Sequence, residues 1–153
     1  MSLGRFHDLA NRVHDKTPVA SPAENTGLEV VVIFTKVKRT MAALRAAANL
    51  AKGLASHIRL IVPHVVPFPA GLDQPPVQRE FAERRFRTLA EESAIDTFVE
   101  IRVCRDWETG ALWGLKPRAI AVIGAGPSWW PLSRERRLAR ALRERGHQVL
   151  LAG

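Results

Sequence analysis

The spacing of apolar residues changes several times along the chain, and each change marks an element. Leu3, Phe6, Ala10 and Val13 recur every three or four positions, with His7, Asp8, Asn11 and Arg12 between them, which predicts a short amphipathic helix. Residues 17–27 are rich in Pro, Ser, Thr, Asn and Gly and predict a linker, so the reading divides the chain into an N-terminal segment at 1–27 and a domain at 28–153. Residues 28–34 form an almost unbroken β-branched and apolar run, the pattern of a strand buried on both faces of a parallel sheet. A basic stretch of Lys36, Val37, Lys38 and Arg39 follows, and Thr40 is the predicted N-cap of a helix. Met41, Leu44, Ala47, Ala48, Ala51, Leu54 and Ala55 give that helix one apolar stripe, opposite Arg45, Asn49 and Lys52.

Residues 58–66 predict a second strand, ended by Pro67 and Pro69. Val77, Phe81, Ala82, Phe86, Leu89 and Ala90 then make a helical face. In a third strand Val99, Ile101 and Val103 alternate with Phe98, Glu100 and Arg102, which predicts a sheet edge with one half-wet side. A short helix is expected from Trp107 to Leu115, and the apolar run 119–123 predicts a central strand. The loop Gly124, Ala125, Gly126, Pro127, Ser128, Trp129, Trp130, Pro131 comes next, then a helix capped by Ser133 and stopped at Gly146, then a last strand at 148–151. Strands and helices in alternation predict a doubly wound α/β domain, Rossmann-like, with five parallel strands. Central first and fourth strands beside an edge third strand give the order 3-2-1-4-5.

Composition narrows the function classes. The chain has 153 residues, 46% of them hydrophobic and 25% charged, enough for one well-filled core. No apolar run approaches the length of a membrane helix, and the first residues lack a signal-peptide pattern; the expected location is the cytoplasm. A single cysteine, Cys104, excludes an internal disulfide and a cysteine zinc cage, and the five scattered histidines predict no metal site. The formal charge of +8 favours anionic partners without choosing among them.

The same segments resemble the universal stress protein family across nearly all of 28–153. The resemblance rests on the Val-rich first strand, the helix holding Leu50, Ala51 and Lys52, and the second strand ending His64, Val65, Val66, Pro67. The Asp106-led short helix, the fourth strand ending in Gly124, the Ser-capped last helix and the closing Val149, Leu150, Leu151 complete it. It implies a non-enzymatic regulatory or stress-response module, with ATP or another adenine nucleotide as the ligand and a homodimer paired through the last strand. ATP-binding members carry an aspartate after the first strand and a G-x-x-G, nine residues, G-[ST] pattern after the fourth. Here Thr35 and Lys36 replace the aspartate, Pro127 stands where the second glycine belongs, and no Gly-Ser or Gly-Thr pair follows. Those glycines matter because they let backbone N–H groups approach phosphate oxygens, and Pro127 removes one such donor.

The candidate ligand site is the switch-point crevice, formed by Thr35, Lys36, Lys38 and Arg39 on one side and Gly124, Gly126, Ser128 and Ser133 on the other. Two other readings stay open: a ligand-free, partner-binding homodimer with a vestigial crevice, and nucleic-acid binding through Trp129, Trp130 and the arginines that follow. His64 and Cys104 lack an acidic pair, a nucleophile elbow or a Walker loop, and no catalysis is expected from them.

Overall fold

The computed structural model describes residues 28–54, 56–73, 79–93, 95–127 and 132–153. The expected N-terminal helix and linker, and Ala55, Val77, Ser128, Trp129, Trp130 and Pro131, lie outside the described residues. Five parallel strands, β1 (Val30–Ile33), β2 (Ile58–Val65), β3 (Thr97–Cys104), β4 (Ile120–Gly124) and β5 (Gln148–Ala152), stand in the order β3-β2-β1-β4-β5. Four helices connect them: α1 (Val37–Leu54), α2 (Arg79–Glu91), α3 (Trp107–Leu112) and α4 (Arg134–Glu144).

Side-chain alternation along the central strands divides the core between the two faces of the sheet. Val30, Val32, Leu60 and Val122 pack with Ala43, Leu44, Ala47 and Ala51 of α1 and Ala82 and Phe86 of α2. Val31, Ile33, Ala121 and Ile123 pack with Ala111 of α3 and Leu138, Ala139 and Leu142 of α4. Four residues of β1 in a row are fully buried because both their odd and even members face a helix layer. At this sheet order the chain reverses direction across the sheet between β1 and β4, and the carboxyl ends of those two strands are where open α/β sheets place a ligand crevice.

Three local expectations need correction. Helix α1 begins at Val37, with the Lys36 carbonyl accepting from the Thr40 N–H at 2.8 Å, so Thr40 is a buried first-turn residue and the basic stretch is largely helical. Phe81 is 65% exposed and belongs to the outer surface of α2; Phe86 alone of that pair reaches the core, meeting Phe34 edge to face at 4.8 Å. Arg102 is buried on the β3 edge, where its guanidinium donates to the carbonyls of Gly110 and Trp113 at the end of α3. Those carbonyls have no helical donor, and a buried cation completes them.

Candidate functional site

At the switch point the chain stitches β1, α1 and β4 together through side-chain hydroxyls. The Thr35 N–H donates to the Thr40 hydroxyl at 3.1 Å, and the Thr35 hydroxyl donates to the Gly124 carbonyl at 3.1 Å. Both threonines are buried, so these hydroxyls serve the scaffold rather than the crevice surface. Gly124 is required by close approach: a Cβ there would run into the carbonyl of Arg39 and stand 2.7 Å from its Cβ. The first turn of α1 therefore rests directly on the end of β4.

Arg39 spans the crevice. Its guanidinium covers Gly126, where a Cβ would lie 2.8 Å from a guanidinium nitrogen, and reaches the Glu135 carboxylate at 3.5 Å. Glu135, in the first turn of α4, is buried, and Arg134 stands 3.7 Å away on its exposed side. A carboxylate at a helix N-terminus is favoured by the dipole, and here it also gains a guanidinium. Sequence reading missed Glu135; its place two residues after the Ser133 cap was the available signal. Ser133 caps α4 as expected, its hydroxyl accepting from the Arg136 N–H at 3.4 Å.

Lys36 and Lys38 are exposed and free of ion pairs among the described residues. Around the crevice the structure thus brings together Thr35, Lys36, Lys38, Arg39, Gly124, Gly126 and Ser133, while Ser128 is outside the described residues. Thr35, Gly124 and Ser133 bond to or pack against the protein itself. Arg39 is neutralised by Glu135, and the two lysines at the mouth keep uncompensated charge.

A second charged cluster lies on the α3 and α4 face of β2 and β3. Arg59 pairs with Glu29 at 2.9 Å and with Glu100 at 3.0 Å, and Arg102 joins Glu100 at 2.8 Å. Burial alone would raise the Glu100 carboxyl, but the hydrogen bond and charge of Arg102, followed by those of Arg59, hold it below the ordinary value. Asp106 is also lowered, by the backbone N–H of Thr109 first and then by its hydroxyl, the bonds that make Asp106 the N-cap of α3.

His64 and Cys104 are neighbours on β2 and β3, but the Cys104 thiol faces the His64 carbonyl at 3.7 Å and not the imidazole. Burial and then the charge of Asp106 raise the thiol above its usual value. Among the described residues no three His, Cys, Asp or Glu side chains stand close enough to hold a metal, and no helix is long and apolar enough to cross a membrane.

No family model and no curated protein matches the chain. Among solved structures it is similar to a universal stress protein in complex with cAMP, at 16% identity, over 84% of this chain and 98% of that one, with a TM-score of 0.55. The resemblance read from the strand and helix order is therefore met in three dimensions, and the chain has the fold of a universal stress protein.

Proposed function

We propose that this protein is a cytoplasmic, non-enzymatic regulatory module that holds a small anionic metabolite of the nucleotide class at the switch-point crevice. The observation that carries the reading is the pair of exposed lysines, Lys36 and Lys38, at the N-terminus of α1 beside Gly124 and Gly126. The cAMP complex of the structural neighbour adds support from an adenine nucleotide on the same fold. Calorimetry with AMP, ATP and cyclic nucleotides at low salt tests it. Wild-type protein should bind at least one of them, and Lys36→Ala with Lys38→Ala should weaken that binding about tenfold or more while leaving the melting temperature in place. Silence across the panel would remove the proposal.

A second reading, pairing of two copies through β5, is favoured by one observation. Leu150 registers with Val122 on the α1 side of the sheet yet is 42% exposed, on an edge strand with no charge or proline to discourage pairing. Leu150→Lys should turn a dimer into a monomer in light scattering. A monomeric wild type at tens of micromolar would refute it.

A further inference from the structure

Helix α4 carries Arg134, Arg136, Arg137, Arg140 and Arg143, with Arg145 at its C-cap, and its carboxylates are Glu135, which is buried, and Glu144. Among the described residues no carboxylate forms an ion pair with Arg136, Arg140, Arg143 or Arg145, while the charge of Arg137 is felt by the Asp106 carboxylate. Helical geometry sets Arg136, Arg140 and Arg143 in one stripe about 10 Å long. The Arg143 guanidinium donates to the Val149 carbonyl at 3.5 Å, which puts that stripe on the β5 side of the helix. Arg134, on the other flank, lies 4.5 Å over the Trp107 ring.

This arrangement is poor for the helix taken alone. Arg136 with Arg140, Arg137 with Arg140, and Arg140 with Arg143 are like charges three or four residues apart, which repel. Arg136 and Arg137 also lie in the first turn, where the dipole disfavours cations, so only Arg143 and Arg145 gain from it. On α2, by contrast, the arginines alternate with Glu80, Glu83 and Glu91. The exposed Lys116 and Arg118 extend the basic surface, since the Gln148 N–H bonds the Ala119 carbonyl at 3.2 Å and brings the end of α4 beside that turn.

We propose that the outer face of α4 is a docking surface for the phosphate backbone of nucleic acid, engaged without regard to base sequence. A polyanion would relieve the repulsion along the stripe, and the planar guanidinium suits phosphate oxygens better than an ammonium does. A lipid surface fits less well, because Leu138, Ala139 and Leu142 are fully buried in the core and leave α4 no apolar face to insert.

The test is fluorescence anisotropy with a short labelled duplex of mixed sequence, its single strand, and vesicles of phosphatidylcholine with phosphatidylserine. Wild-type protein should bind the oligonucleotides at low salt, with log K falling linearly as log salt rises. The triple variant Arg136→Gln, Arg140→Gln, Arg143→Gln should bind more weakly with a slope shallower by about two to three, and Arg140→Gln alone by about one. Glutamine keeps helix propensity, and circular dichroism checks that the fold is intact. The Lys36→Ala, Lys38→Ala variant should bind nucleic acid as wild type does, which separates this surface from the crevice. No oligonucleotide binding at low salt, an unchanged slope in both arginine variants, or a preference for the vesicles would overturn the proposal.

Discussion

Arg39 and Glu135 meet between the N-termini of α1 and α4, and each makes the other's position tenable. The Glu135 side chain is only 5% exposed, against 32% for Arg39, so removing Arg39 leaves a buried carboxylate held only by the more distant Arg134 and the N-terminus of α4. Arg39→Ala is expected to lower stability by about 1–3 kcal/mol in urea unfolding, whereas Lys36→Ala, in open water, should stay within about 0.5 kcal/mol. This pair is why a loss of ligand binding in an Arg39 variant would be ambiguous and the two lysines are the better probes. Glu100 supplies a pH signature. Its folded pKa is depressed, so the stability it contributes is complete above the ordinary carboxylate range and is lost as pH falls through the folded value. Glu100→Gln should therefore flatten the fall of melting temperature below about pH 4. Cys104, its thiol raised by burial, should react with iodoacetamide at pH 8 more slowly than free cysteine, and equal rates would show the site is open.

Among the elements, α2 separates what pattern can reveal from what it cannot. Phe81 and Phe86 both fit a helical stripe, yet Phe86 touches Phe34 and Phe81 faces solvent. Phe86→Ala should cost about 3–5 kcal/mol and Phe81→Ala less than about 0.5 kcal/mol, a contrast that denaturant titration resolves. The strands were legible because β1 and β4 are apolar without interruption and β3 alternates, which fixes centre and edge and hence the order. The start of α1 was not, because Thr40 has the chemistry of a cap while its hydroxyl bonds Thr35, five residues back. The role of Arg102 was hidden for a related reason: alternation places it on a half-wet side, but the carbonyls it completes belong to α3. That Lys36, Lys38, Gly124 and Gly126 sit at the carboxyl ends of β1 and β4 could be read from the chain. The Glu135 contact could not, since 96 residues separate it from Arg39.

For the molecule as a whole, positive charge collects on the α4 side, and the two faces of the sheet are covered unequally. Helix α1 runs 18 residues along the inner strands, while the face over β2 and β3 is sealed by the six residues of α3 and by the chain of Glu29, Arg59, Glu100 and Arg102. Every strand and helix among the described residues lies between Val30 and Ala152; with the domain boundary expected at residue 28, removing residues 1–27 should leave the melting temperature within a few degrees, about what 0.5 kcal/mol produces in a domain of this size. A large drop would mean that the N-terminal stripe of Leu3, Phe6, Ala10 and Val13 packs on the domain. The thin cover over the β3 edge has a consequence in amide hydrogen exchange. Protons in β1 and β4, enclosed by helices on both faces, should exchange with solvent deuterium only when the entire domain unfolds. Those of α3 and β3 should exchange earlier, as a cooperative unit released when the short helix and its arginine lift away, and acid should hasten that release by protonating Glu100.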